Sequence, residues 1–328
     1  MAIAKDRHTG VMSTLWGDQP TQFFFSLTPD RVLDCLESKG FATTGLCVPL
    51  ASYENRVYEI EVEDRDGVRA RKVVKFYRPG RWTKDQILEE HLFLKDLVEV
   101  EMPVIAPENL DETPEGIWFS VFPKKGGRAP EDLNDEELMR IGRAIGRLHL
   151  VGKRRNYQHR LTLNADTYGR GAWKIIEQSR RVPAEVLPRL QTLATHWFEQ
   201  ADRLLKAQPM QRIHGDCHPG NILWRSDGIL FVDFDDTVTG PPVQDLWLLL
   251  RDENAWEPLV AGYSEFAELP MGSRALIPSL RALRMIHYAA WLAKRYVDPV
   301  FPLAFPYFDS QKYWYELCSD LENLETTP

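Results

Sequence analysis

The apolar positions of the 328-residue chain change period along its length, and the changes divide it. Residues 28–39 (TPDRVLDCLESK) open on Thr-Pro-Asp, a helix-entry sequence, and stop at Gly40, which predicts a short helix. From 56 to 63 (RVYEIEVE) apolar and polar residues alternate, Asp66-Gly67 offers a tight turn, and 68–77 (VRARKVVKFY) returns, so a β-hairpin is expected. Residues 83–98 start at a Thr and carry apolar residues at 87, 94, 97 and 98, the spacing of a helix. A further strand is expected at 117–122 (IWFSVF), before Pro123.

Beyond KKGGRAPEDLND the period becomes helical: Leu138, Ile141, Ile145 and Leu148 mark one apolar face. More helices are expected at about 183–206, 243–252, 256–268, 273–297 and 310–325. A hairpin of 222–224 with 229–233 turns at Asp227-Gly228. With a boundary near 122–128, the expected organisation is a tail (1–27), a β-rich N-terminal lobe (28–122) and a mainly helical C-terminal lobe (123–328). The class is α+β, with no repeat and no low-complexity tract.

Composition narrows the options. A chain that is 44% hydrophobic and 27% charged can bury a core in each of two lobes. The net charge of -8 disfavours nonspecific nucleic-acid binding. No apolar run approaches a membrane span, and the first twenty residues lack a secretory core, so a cytoplasmic monomer with no nucleic-acid or membrane partner is expected. Cys35, Cys47, Cys217 and Cys318 form no C-x-x-C pair and read as reduced thiols.

The densest chemistry lies in His214–Trp224, HGDCHPGNILW. His214, Cys217 and His218 suggest zinc, but they have no second pair of ligands downstream, as tetrahedral sites usually require. Asp216 and Asn221 instead fit D-x-x-x-x-N, in which the Asp orients an acceptor hydroxyl and takes its proton while the Asn holds Mg²⁺. The strand in GILFVDFDD is expected to deliver Asp233 at its end as a second Mg²⁺ ligand, with Asp235 on the same face assisting. Lys75, on the same strand face as Val73, is the cation for nucleotide phosphates. A charge on an apolar strand needs a partner, and Glu90 shares a helix face with Ile87, Leu94 and Leu97, although Glu89 lies one residue away. His214 is expected to fix the loop, and His218 to lie where it can touch a transferred phosphate.

With the strand that ends in Asp and the following GPPVQDLWLLL, this pattern resembles the aminoglycoside phosphotransferase and choline kinase superfamily. ASYENRVYEI, VVKFYRPGRWTKDQILEEH, HGDCHPGNILWR and FVDFDD are more similar still to the stress response kinase A family of bacterial Ser/Thr protein kinases, over most of residues 28–325. The resemblance implies a protein-kinase-like two-lobe fold, ATP as co-substrate with Mg²⁺, protein Ser/Thr acceptors and a stress-response role. It also implies that Asp245 anchors the catalytic loop and that the adenine site lies between the lobes beside hinge backbone near Phe122.

Two departures from ordinary protein kinases stand out. The phosphate-covering loop has no G-x-G-x-x-G; Leu50–Arg56 replaces it, with Ser52 offering its hydroxyl and nearby N–H groups to the phosphates. Eleven residues between Asp233 and Asp245 are too few for an extended activation segment. That keeps a small-molecule acceptor (an amino alcohol, amino acid or aminoglycoside) as the alternative, walled by the aromatic-rich C-terminal end; a silent nucleotide-binding scaffold is a third reading.

Overall fold

The computed structural model describes residues 27–324; the expected tail lies outside them but for Leu27. Helix α1 (Pro29–Ser38) starts at an N-cap Thr28 whose hydroxyl accepts from Arg31 N, and it ends before Gly40 in the left-handed region. An antiparallel sheet follows: β1 (Thr43–Leu50), β2 (Arg56–Glu63), β3 (Arg69–Phe76), β4 (Asp111–Glu112) and β5 (Trp118–Pro123), in spatial order β1-β2-β3-β5-β4. The β2–β3 hairpin closes at Glu63↔Arg69, where the Asp64 carboxylate accepts from Asp66 N and Val68 N. Val32 and Leu36 of α1 pack on Ile60, Val74, Phe76, Phe119 and Val121, which gives this half its own core.

Helix α2 (Lys84–Val98) begins in a capping box between Thr83 and Gln86. The apolar face read from the sequence is buried at Ile87, Leu94 and Leu97, but Val98 is exposed and the flanking Phe93 is buried. The physical reason is that α2 is covered on two sides. Phe93, Leu94 and Leu97 join a core with Leu138, Ile141 and Ile145 of α3 (Asp135–Gly152), whereas Ile87 packs with Tyr77 and Trp82.

The helical half continues with α4 (Gly171–Ser179), α5 (Leu187–Leu205), α6 (Gln244–Trp247), α7 (Trp256–Ser264), α8 (Ile277–Arg295), α9 (Val300–Ala304) and α10 (Gln311–Asn323). The helix expected at 243–252 is a single turn, and that at 256–268 stops at Ser264. Helices α3 and α7 cross closely because a Cβ on Gly142 would meet Leu259 O at 2.1 Å, and one on Gly262 would meet Met139 O at 2.0 Å. Two small antiparallel pairs complete the architecture: β6 (Gln211–Ile213) with β9 (Val238–Gly240), and β7 (Ile222–Arg225) with β8 (Gly228–Phe231). No helix among the described residues is long and apolar enough to cross a membrane.

Candidate active site

A cleft of about 900 Å³ opens between the sheet and the helical half, and it gathers Ser52, Lys75, Glu90, Phe122, Asp216 and Asp233 into one lining. Lys75 and Val73 both face it from β3, as alternation requires. The Lys75 ammonium lies 3.3 Å from Glu90 Oε1, 2.7 Å from Asp235 Oδ1 and 4.0 Å from Asp233 Oδ1. Burial alone would lower its pKa, but Asp235 and then Glu90 outweigh burial and raise it well above the ordinary lysine range.

Glu90 is therefore the helix partner, and its second oxygen accepts from Arg160 Nη2 at 2.8 Å. Glu89 points elsewhere: its carboxylate accepts the backbone N–H groups of Gln158, His159 and Arg160 and fixes that segment. The nearest anion to Lys75 is neither glutamate but Asp235, whose carboxyl is resisted by burial yet held below the carboxylate range by Lys75 and Arg81.

The loop carrying Asp216 leaves β6 through Gly215, which has φ +86° and whose Cβ, if it had one, would sit 2.3 Å from Asp236 O. Asp245 at the start of α6 anchors this turn. It accepts from His214 N and Gly215 N, both at 2.8 Å, and pairs with His149 Nε2 at 3.0 Å. The His214 ring bridges backbone, donating from Nε2 to Val232 O at 2.9 Å and accepting at Nδ1 from Asp216 N at 3.3 Å. Asn221 donates from Nδ2 to Asp216 O at 2.9 Å, and its own carbonyl accepts from Val232 N. Those two bonds bring Asp216, Asn221 and the residue after Val232 together, although seventeen positions separate Asp216 from Asp233 in the chain.

Strand β8 ends at Phe231, so Asp233 does not close a strand as the alternation suggested. It occupies a left-handed corner (φ 58°, ψ 68°), a conformation that costs a side-chain-bearing residue roughly 1 kcal/mol or more. The corner turns its carboxylate into the cleft, with 59% of the side chain exposed. The following turn of 3₁₀ helix (Phe234–Asp236) carries Asp235 back into the protein instead of along a shared strand face. The surrounding walls, and then the charges of Asp235 and Asp216, push the Asp233 carboxyl up, while Lys75 pulls it down.

Zinc finds no ligand set here. Both His214 nitrogens are engaged, Cys217 is fully buried with its thiol pushed far up, and His218 Nδ1 accepts from Gly220 N. Among the described residues no group of three or more His, Cys, Asp and Glu side chains is arranged to hold a metal. The Asn221 amide oxygen and the Asp233 carboxylate are hard oxygen donors, the type a Mg²⁺ ion takes when phosphates and water complete its shell.

Several residues that sequence reasoning did not reach complete the site. Arg81 bonds Asp235 at 2.7 Å and also pairs with Asp236, whose carboxyl burial pushes up to about 6 against the pull of Arg81. Arg284 of α8 reaches Asp216 Oδ1 at 2.7 Å. Glu54, in the loop between β1 and β2, accepts from Trp291 Nε1 at 2.8 Å and from Arg295 Nε at 3.0 Å. Arg284, Trp291 and Arg295 recur at helical spacing, which was the available signal; Arg81 and Arg160 lie in segments to which periodicity assigns no helix or strand.

Residues 47–302 match the family described as "Phosphotransferase enzyme family", and this fold and site define the chain as a phosphotransferase enzyme with a two-lobed α+β architecture. Within that class, it belongs to the stress response kinase A family. It is 41% identical over 308 residues to "Stress response kinase A" of Escherichia coli strain K12, which covers 89% of this chain and 90% of that one. It is 39% identical over the same shares to "Serine/threonine protein kinase RdoA" of Salmonella typhimurium. Among solved structures, an amicoumacin kinase in complex with AMP-PNP, Ca²⁺ and Ami matches with TM-score 0.68 at 19% identity, covering 91% of this chain and 94% of the other. A microcompartment-associated aminopropanol kinase matches with TM-score 0.65 at 19% identity, covering 90% and 97%.

Proposed function

We propose that this chain transfers the γ-phosphoryl group of ATP, with Mg²⁺, to Ser or Thr hydroxyls of proteins, in a bacterial stress response. The observation that carries the reading is the convergence of Lys75, Asp216 and Asp233 on one cleft, with Asn221 bonded to Asp216 O just behind its lining. In this reading Lys75, kept in place by Glu90 and Asp235, neutralises the nucleotide phosphates. Ser52 and its loop cover them, and the β5 backbone near Phe122 borders the adenine. Asn221 and Asp233 would hold Mg²⁺, which supplies positive charge to the phosphate oxygens.

Asp216 orients the acceptor hydroxyl and takes its proton as that oxygen attacks the γ-phosphorus and ADP departs. Positioning and charge neutralisation do most of the work, since the transition state is loose. Support for divalent-metal and nucleotide use comes from the relative solved with AMP-PNP and Ca²⁺, and support for protein acceptors from the relative named as a serine/threonine kinase. The fold neighbours named for small-molecule acceptors make a small alcohol the competing reading.

The deciding experiment offers labelled ATP with casein-like proteins and, separately, with amino alcohols, amino acids and aminoglycosides. Label is expected on protein Ser and Thr. Label confined to small molecules overturns the protein-acceptor reading, and absence of any ATP consumption overturns both.

A further inference from the structure

The acceptor side of the cleft has a charge arrangement that constrains what enters. One face of α8 presents Arg284, His287, Tyr288 and Trp291 to it at steps of three, one and three residues. Arg284 stands against the base: its Nη1 is 2.7 Å from Asp216 Oδ1, and 41% of its side chain remains exposed to the cleft. The contact is an ion pair without hydrogen-bond alignment, because Oδ1 is buried and makes no aligned hydrogen bond. With Oδ1 closed off, a hydroxyl has to meet the carboxylate at Oδ2, which lies 3.6 Å from His218 Nε2 on a side chain that is 23% exposed.

Nearly every other carboxylate of the lining is already neutralised from within the protein. Glu54 has Arg295 and Trp291, Glu90 has Lys75 and Arg160, Asp235 has Lys75 and Arg81, and Asp236 has Arg81. Asp233 is the exposed one, and it lies 4.0 Å from Lys75 where the metal would be held. Burial lowers the pKa of His287 to about 3, so it adds no charge at neutral pH. A cationic alcohol would therefore meet no spare anion and one partly exposed guanidinium. When a hydroxyl engages Asp216, Arg284 has to share its anion inside a confined cleft, and a second anion on the acceptor restores the balance. A guanidinium fork suits a carboxylate especially well.

We infer that Arg284 is the specificity-determining residue of the acceptor site, favouring Ser or Thr hydroxyls flanked by an acidic side chain and turning away cationic alcohols. The inference rests on the protein-acceptor reading above. It is tested with paired serine peptides identical except for Glu or Lys beside the acceptor, assayed with wild type, Arg284→Gln, Arg284→Glu and Arg284→Lys, together with the KM for ATP. Wild type is expected to prefer the Glu peptide about tenfold in kcat/KM, the size of one charge-assisted bond. The ratio should fall to near one in Arg284→Gln, invert in Arg284→Glu and persist in Arg284→Lys, with the KM for ATP unchanged. A preference that survives Arg284→Glu, or a wild-type enzyme that favours the Lys peptide, overturns the inference while leaving a protein kinase. If only small alcohols are phosphorylated, the protein-acceptor reading has failed instead, and the role of Arg284 is decided by whether carboxylate-bearing or amino alcohols are the better acceptors.

Discussion

At the scale of single residues, the buried charges around Lys75 are doubly covered. Removing one member of a buried pair usually costs about 3–5 kcal/mol because the survivor is left uncompensated. Here Glu90 would keep Arg160 and Asp235 would keep Arg81 after Lys75→Met. The variant should therefore lose phosphoryl transfer by about a hundredfold or more while losing only about 1–2 kcal/mol of stability. Paired turnover and denaturant-unfolding measurements check this, and a variant that unfolds outright would show that the two arginines do not provide the cover. Asp216→Asn should retain nucleotide affinity and lose about 10²–10⁴-fold in turnover, the range of a positioned general base; wild-type turnover in that variant removes Asp216 from its proposed role. Lys75, Glu90, Asp216 and Asn221 were legible because spacing and strand or helix phase locate them. Arg81, Arg160 and Arg284 were not, since a guanidinium finds its carboxylate through folding and not through a fixed separation in sequence.

A second consequence at this scale concerns pH. His91 is buried beside Tyr77 OH at 3.0 Å and Ser120 Oγ at 3.3 Å, and burial lowers its pKa to about 4. An unfolded histidine titrates near ~6.5, so between about pH 6.5 and 4 the unfolded chain takes up a proton that the folded chain refuses. Stability tied to His91 is thus fully present above that window and falls as pH drops through it, by an amount on the order of 3 kcal/mol. His91→Gln should be less stable at pH 7.5, yet the gap to wild type should narrow as pH approaches 4.5. Parallel Tm curves for the two proteins across that range would remove His91 from the account.

At the scale of elements, the loop between β1 and β2 departs most from a glycine-rich loop. Glu54 makes it a clasp: its carboxylate accepts from Trp291 and Arg295 of α8 and lies 3.6 Å from Arg78 and 3.7 Å from Arg81. Arg78 holds the same turn through its bonds to Tyr53 O and Glu54 O, and Asn55 Oδ1 accepts from Arg78 N. Burial opposes ionisation of Glu54, but Arg81 and Arg295 keep its carboxyl below the usual range. After Glu54→Ala, Arg78 keeps Asp298 and Arg81 keeps Asp235 and Asp236, so the loss falls mainly on Arg295 and should cost about 1–2 kcal/mol, as for Lys75→Met. The variant should also weaken ATP binding more than adenosine binding if, as proposed, the loop covers the phosphates and not the base; equal losses for both ligands would show that the clasp only supports the fold. The regular elements were legible where a period ran long enough: the β2–β3 hairpin, α2 and α3 lie where alternation and helical spacing put them. Strand β1 was not named because Gly45, at φ +91°, and Pro49 interrupt its alternation, and β6 and β9 are three residues each, too short to show a period.

At the scale of the whole molecule, the division into a β-rich and a helical half was legible, but the interdependence of the halves was not. The helix α2 follows the hairpin in sequence, yet Phe93, Leu94 and Leu97, with Met102 beyond it, are buried in a core completed by α3, Ile222 and Phe231. Ion pairs cross the same junction: Arg78 with Asp298, Arg81 with Asp235 and Asp236, and Glu90 with Arg160. Each large apolar side chain is worth about 1.5–3 kcal/mol when buried, so four of them amount to roughly 6–12 kcal/mol. That is comparable to the entire stability of an ordinary domain, about 5–15 kcal/mol. The full chain should consequently unfold in one cooperative transition, with tryptophan fluorescence and far-UV circular dichroism giving coincident curves. A fragment comprising residues 28–122 should not fold alone, because it would expose these four side chains and take Asp235 and Asp236 from Arg81 and Arg160 from Glu90. Two separated transitions in the full chain, or a fragment with a dispersed amide NMR spectrum, would show instead that the sheet and α1 supply enough burial by themselves and that the cleft is a joint between independent bodies.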